Sequence, residues 1–261
     1  MIRRSILAAP MFCILVSGSP SAVAQNQTDS LSPLFEGDVP FRLRVERVNW
    51  TGDPLPAIHS AAHGISDGRV LFVGGKTSGL HNFECDPQEN FPSSDFNRSL
   101  IVVDIEARET FSRPLDGPNT GLSPAQIASL SSINTLSTHA DGQLVSLGGY
   151  GIDENDDYVT FSTLRVIDLE GAIDWVLGDT APLSEHVQFH GPPKGAPSDF
   201  FTICGGVLIQ NGDQFWSCFG HDFQGGYTEC GPIGTTQVYT KSIRRFSLDQ
   251  KRPDSPPIFV G

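Results

Sequence analysis

The sequence predicts an all-β fold of repeated four-stranded antiparallel sheets, set as the blades of a propeller, and three observations predict it. A two-residue turn flanked by apolar runs occurs at Asp67-Gly68, at Asp141-Gly142 and near Asn211-Gly212. The short apolar strand after each turn ends in a doublet, Gly74-Gly75, Gly148-Gly149 and Phe219-Gly220, and these copies are 74 and 71 residues apart. Each copy continues through a long loop to a further strand with an aspartate near its end, at Asp104, Asp168 and Asp249. A unit recurring over tens of residues decides an architecture before any single residue does.

Taken in chain order, Met1-Ile2-Arg3-Arg4 puts positive charge ahead of an apolar stretch from Ile6 to Val16, followed by the small residues Ala22-Val23-Ala24. This is the pattern of a cleavable signal peptide over residues 1–24, and the protein is expected to be secreted, periplasmic or at the cell surface. The stretch contains Pro10 and is too short to span a bilayer, so no stable membrane insertion is expected. Residues 25–40 are polar, with Pro33 and Pro40, and read as a flexible leader. In Phe41 to Trp50, apolar Phe41, Leu43, Val45 and Val48 partly alternate with Arg42, Arg44, Glu46 and Arg47, the period of a half-buried strand. Its place before the first repeat suggests the closing strand of a last blade.

The repeats occupy residues 41–261. The first blade, 57–115, has strands predicted at Ala57–Gly64, Arg69–Val73, Leu100–Ile105 and Thr110–Leu115. The second, 133–177, has them at Ile133–Ala140, Gln143–Leu147, Leu164–Leu169 and Ile173–Leu177. The third, 200–260, has them at Phe200–Gln210, Gln214–Cys218, Ile243–Leu248 and Pro257–Val260. Asp-Gly and Asn-Gly turns between apolar runs are the strongest short-range hairpin signal. Glycine is unfavourable in a strand, so a doublet recurring at one place implies close backbone approach or positive φ there.

Composition excludes some functions. Cleavage after Ala24 leaves 261 − 24 = 237 residues, and removing Arg3 and Arg4 gives a formal charge of 15 − 30 = −15. Nucleic acid is therefore not an expected partner, since phosphate contacts need clustered Lys and Arg. Cys13 leaves with the signal peptide, and Cys85, Cys204, Cys218 and Cys230 remain, an even number in an exported chain. Cys204 with Cys218, on paired strands of one hairpin, and Cys85 with Cys230, in corresponding loops, are the expected bridges. Unpaired buried thiols are the alternative. No CxxC pair supports a zinc or redox site.

Several stretches resemble the kelch repeat, and more closely a group of exported bacterial kelch-like propeller proteins of mostly undefined activity. They are Leu55-Pro56-Ala57-Ile58-His59-Ser60, Gly74-Gly75-Lys76-Thr77-Ser78-Gly79-Leu80-His81 and Leu147-Gly148-Gly149-Tyr150-Gly151, then Phe219-Gly220-His221 with Tyr239-Thr240-Lys241-Ser242-Ile243-Arg244-Arg245-Phe246. The resemblance spans about residues 45–250. Phe219 departs from it, standing where the first glycine of a doublet is usual. The spacing exceeds the roughly 50 residues of a kelch unit, and long loops account for the excess. The resemblance implies six or seven blades, and three do not readily close a ring. A truncated chain, or self-association that completes the ring, is the expectation.

In a meander, successive connections alternate between the two ends of a blade. The turns and the Glu106–Glu109 and Glu170–Gly171 connections are short and share one end. Loops of about Lys76–Arg98, Pro114–Ser129, Tyr150–Thr163, Gly178–Ser198 and Asp222–Ser242 share the other, which is the predicted functional face, because loops on a rigid scaffold carry most binding residues. Lys76, His81, Tyr150, Asp153, His221, Asp222 and Tyr227 follow the doublets there and are the candidate ligand contacts. Ordinary loop packing is the competing account of each. His59 and His63 sit on the predicted innermost strand and would line a central channel, unless they are satisfied core histidines.

Asp153-Glu154-Asn155-Asp156-Asp157 is rich in oxygen ligands but lacks the EF-hand spacing, and an exposed acidic loop explains it better. His186 and His190 would converge on a metal only from a helix, which Pro192-Pro193 argues against. Asn26, Asn49 and Asn97 begin glycosylation sequons. No GxSxG, HExxH or phosphate loop is present, so no catalytic residue, metal or cofactor is predicted. The leading expectation is a non-catalytic binding or scaffold module for a protein or carbohydrate. The alternative is an enzyme acting on an extracellular sugar, since a copper-radical oxidase and a sialic acid mutarotase use kelch propellers, although fold alone does not transfer chemistry.

Overall fold

The computed structural model describes Trp50, residues 54–55, 57–228, 230, 236–249, 252 and 254–260. The expected signal peptide, the expected leader and, except for Trp50, the expected 41–50 strand lie outside the described residues.

The first sheet joins β1 (Ala62–Ser66), β2 (Arg69–Val73), β3 (Ser99–Asp104) and β4 (Glu109–Pro114) in that order, with helix α1 (Pro87–Asn90) in the β2–β3 loop. Helix α2 (Pro124–Leu130) leads to β5 (Leu136–Ala140) and β6 (Gln143–Leu147), after which β7 (Tyr150–Ile152) and β8 (Tyr158–Thr160) form a separate hairpin. The second sheet is completed by β9 (Leu164–Asp168) and, beyond helix α3 (Leu169–Leu177), by β10 (Val187–His190), in the order β5-β6-β9-β10. The third sheet holds β11 (Val207–Asn211) and β12 (Gln214–Cys218), continuing after the hairpin β13 (His221–Gln224) and β14 (Thr236–Tyr239) to β15 (Arg244–Ser247) and β16 (Ile258–Phe259). Every pair is antiparallel, and the innermost strand β5 neighbours both β1 and β11. Three four-stranded blades thus stand side by side.

Turn chemistry sets the hairpins. Direct pairing of Ser66 with Arg69 and of Ala140 with Gln143 leaves Asp67-Gly68 and Asp141-Gly142 as two-residue turns. All four residues have positive φ, as a type I′ turn requires. The third turn differs from expectation: Asn211 pairs with Gln214, so the turn is Gly212-Asp213, and only the glycine has positive φ. A glycine in the first position suits the alternative two-residue turn, II′.

The doublets have a specific cause. Gly74 and Gly148 have φ of +66° and +64°, and a Cβ on either would overlap a backbone carbonyl of the next blade, Ser132 O or Ile203 O. Gly75 N donates to Ser132 O at 3.1 Å and Gly149 N to Ile203 O at 2.8 Å. The first two doublets are therefore backbone-to-backbone docks between neighbouring blades.

Strand alternation then splits two cores. Leu144 and Ile167 face blade 1 and join Leu71, Leu100 and Val102, while Val145, Leu147, Leu164 and Val166 face blade 3 and join Phe201, Phe215 and Phe246.

Blade 2 corrects the sequence reading. Ile173–Leu177, expected as its fourth strand, is the last part of helix α3, because buried Leu169, Ala172, Ile173 and Val176 recur at the helical spacing i, i+3, i+4, i+7. Gly178, at φ +117°, ends the helix. The fourth strand is β10, so the blade runs on to His190 instead of ending at 177. The Glu170–Gly171 connection is accordingly long, and the turn end carries a helix. Trp175 is fully buried, donates from Nε1 to Asn119 O at 3.0 Å and has the Arg113 guanidinium over its ring at 4.1 Å.

Candidate functional site

Three loops converge beyond the doublets. The β2–β3 loop brings His81, Phe83 and Phe91, the β7–β8 hairpin brings Tyr150 and Tyr158, and the segment after β12 brings His221, Phe223 and Tyr227. Their rings interlock: His81 lies 4.9 Å from Phe91 and 4.6 Å from Tyr227, and Tyr150 lies 5.6 Å from Phe91 and 5.0 Å from Phe223. Such aromatic pairs prefer tilted and edge-on contacts at these distances. Polar bonds tie the same loops. Asn90 Nδ2 donates to Tyr227 O, Tyr158 Oη to Phe91 O, and Thr228 Oγ1 to Cys85 O. A disulfide between Cys85 and Cys230, Cα atoms 4.7 Å apart, joins the first loop to the third.

The expected Cys204–Cys218 bridge is absent, and both residues are buried free thiols. Register explains this. Cys218 lies opposite Val207 and Cys204 opposite His221, so the two thiols are never cross-strand partners. Burial, with a smaller push from the Asp222 charge, raises the Cys204 thiol to about 12, against a hydrogen bond to Thr160.

The candidate residues divide by environment. Lys76 is buried, and its ammonium meets Asp95 at 3.2 Å, donates to Ser78 Oγ and Gly79 O, and sits 5.7 Å above Phe91. Burial acts to raise the Asp95 carboxyl, but hydrogen bonds from Ser78 and Lys76 outweigh it and hold the group below its ordinary range. Tyr150 is buried, donates to Gly225 O at 3.0 Å and accepts from Tyr227 N at 3.1 Å, and burial drives its phenol pKa upward. Tyr227 is buried in the ring cluster. These three serve the loop knot.

Asp153 stands at the exposed tip of β7–β8, where its carboxylate accepts from the backbone of Asn155 and Asp157, each at 2.9 Å. Among the described residues no group of three or more His, Cys, Asp or Glu side chains is arranged to hold a metal. His221 lies edge-on to Phe223 at 4.4 Å, and its Nε2 is buried without a hydrogen bond among the described residues. Burial lowers its pKa, and neighbouring Asp222 opposes that shift. His59, beside Lys76 and not within a strand, donates from Nε2 to Ser78 O, while His63 on β1 is exposed with its ring 6.4 Å from that of His139 on β5. His186 faces Asp168 at 3.6 Å and His190 closes β10, well apart in role. The Asn97 amide is buried and donates to Gly74 O and Ser99 O, so this sequon is spent on structure.

Sequence reasoning missed Leu80 and Phe83. They are 91% and 68% exposed and flank His81, whose ring lies 4.8 Å from that of Phe83. Their signal was two large apolar residues within five positions of a polar loop.

No protein-family model matches the chain, and no curated protein matches it. Among solved structures the chain is similar to YjhT, with 12% identity and a TM-score of 0.45, over 76% of this chain and 55% of that one. The chain thus spans about half the length of that protein.

Proposed function

We propose that the protein is an exported, kelch-like propeller module that binds a protein or a carbohydrate through its long-loop end and catalyses nothing itself. One observation carries this reading: Leu80 and Phe83 project into solvent from a loop whose base is fixed by the Cys85–Cys230 bond and the buried rings. Exposed aromatic and aliphatic anchors on a rigid base lose little freedom on binding, which favours affinity. The disulfide suits an oxidising compartment, and the N-terminal pattern supplies the route there. His81, with one face against Phe83, would share the contact, while Asp153 and Asp222 would form its polar rim.

A binding screen against glycans and cell-surface proteins tests this. Ligands should weaken at least tenfold in a Leu80→Ser, Phe83→Ser chain that keeps its thermal transition. A blank screen, together with turnover of a sugar abolished by His81→Ala or His221→Ala, would establish the enzymatic alternative instead.

Self-association is also part of the proposal. The face of blade 3 turned away from blade 2 carries Val207 and Ile209, each 49% exposed, continuing the stack of apolar sheet faces without a cover among the described residues. A second copy meeting it face to face would bury them. Sedimentation as a compact monomer at all concentrations would remove this part.

A further inference from the structure

Blades 2 and 3 hold an arginine at the same place, opposite a serine. Ser146 pairs with Arg165 across β6–β9, and Ser217 with Arg244 across β12–β15. Each guanidinium reaches the segment entering its own innermost strand. Arg165 Nη1 donates to Ser129 O and Oγ, and Arg244 Nη1 donates to Phe200 O at 2.9 Å, with Asp199 O and Thr202 O slightly farther.

There the likeness ends. Arg165 is fully buried and engaged through all three guanidinium nitrogens, with Nε on Ser146 Oγ and Nη2 on the carbonyl of Gly148. In blade 3 the Ser217 hydroxyl is buried with no partner, and the Nε and Nη2 of half-buried Arg244 hold no hydrogen bond among the described residues. No carboxylate there lies within ion-pair distance of Arg244 either. Arg244 instead lines a cavity of about 280 Å³ with Asp199, Phe200, Ile243, Arg245 and Phe259, so its wall carries two guanidiniums and one carboxylate. The corresponding hollow of blade 2, about 250 Å³ and walled by Ser129, Thr163 and Phe189 among others, has no arginine on its wall.

We propose that the blade 3 cavity binds a small organic carboxylate with an apolar body. A guanidinium offers two parallel N–H donors that match a planar carboxylate, and the unused edge of Arg244 supplies that fork. The rings of Phe200 and Phe259 meet edge-on at 5.4 Å and form an apolar wall, which a fully hydrated inorganic anion would leave wet. Burial lowers the pKa of Arg244, and the nearby charges of Asp199 and Asp222 raise it. Those two acids repel any anion, so the guanidinium fork must outweigh them, and a doubly charged ligand is disfavoured most. Pro197 and Ser242 place the cavity at the ends of long loops, so the proposal rests on the binding-face reading for its location but not on the Leu80–Phe83 tip.

The test is calorimetric titration of the purified chain with benzoate, benzyl alcohol and inorganic phosphate. Benzoate should bind saturably, at least tenfold more tightly than either of the others. Arg244→Lys, which keeps a charge and loses the fork, should weaken benzoate at least tenfold. Phe259→Ala, which leaves the arginine in place, should weaken it severalfold. Phe83→Ser should change nothing, so a failed tip and a failed cavity are told apart. Equal binding of benzoate and benzyl alcohol, phosphate binding as tight as benzoate with Phe259→Ala unaffected, or no saturation by ~10 mM would each overturn the proposal.

Discussion

The ends of β6 and β12 occupy equivalent places in blades 2 and 3, yet their residues obey different rules. Gly148, at φ +64°, abuts the Ile203 carbonyl of the next blade, and any side chain there would collide with backbone. Phe219 adopts the same φ of +64° and carries a large ring that is 74% exposed. Positive φ alone therefore does not demand glycine at this position. The neighbouring blade does, and a repeat's consensus residue here belongs to the junction more than to the strand. The two arginines differ as well: Arg165 engages all three guanidinium nitrogens, while Arg244 leaves Nε and Nη2 unused among the described residues.

The comparison breaks if Gly148→Ala is tolerated. The collision and the strained backbone should together cost roughly 4 kcal/mol, read as a fall in the urea midpoint or as failure to fold. Arg165→Met should cost about 3 kcal/mol, because the Gly148 and Ser129 carbonyls lose their buried donor. The same change at Arg244 should cost about 1 kcal/mol, since only one of its nitrogens is engaged.

A pH series sharpens the contrast at the next residue along. Tyr150 and His221 follow the two doublets at equivalent positions, and only His221 is an imidazole. Burial lowers its pKa in the folded chain, as partial desolvation on the inner strand and nearby His139 do for the still-exposed His63, whereas the unfolded imidazole titrates near 6.5. The unfolded chain then binds more protons, so stability should fall as pH drops from about 7.5 to 5.5. His221→Tyr should flatten that slope in part, with the His63 share remaining. The smallest effect belongs to Phe219→Gly, which relieves positive φ while loosening the unfolded chain and should shift stability by no more than about 1 kcal/mol.

What was legible in the sequence is what is local. Asp67-Gly68 and Asp141-Gly142 announce their turns because few residue pairs accept two positive φ angles. The third turn was placed one residue early, since Asn211-Gly212 and Gly212-Asp213 both carry turn chemistry and only strand register chooses between them. Helix α3 was misread because Ile173 to Leu177 contains an apolar run that suits a strand, and its helical period shows only when Leu169 and Ala172 are counted. The β7–β8 and β13–β14 hairpins are too short to leave a pattern. At the candidate site, the convergence of loops was legible from their length and shared end. Which residues they would bury was not: Lys76, Tyr150 and Tyr227 look available in sequence and are consumed by contacts 19 to 77 positions away. Arg244 passed unnoticed, because a vacant donor is visible only beside a saturated one.

The Cys85–Cys230 bond spans 145 positions and encloses all of blade 2. Under mechanical load applied to the two ends of the chain, tension would run through the sulfur atoms and bypass everything between them. Roughly 500 Å of contour would stay hidden until reduction. A pulling experiment should therefore show a stretch that lengthens by about that amount when a reductant is added, and blade 2 should be the last part of the molecule to feel the force.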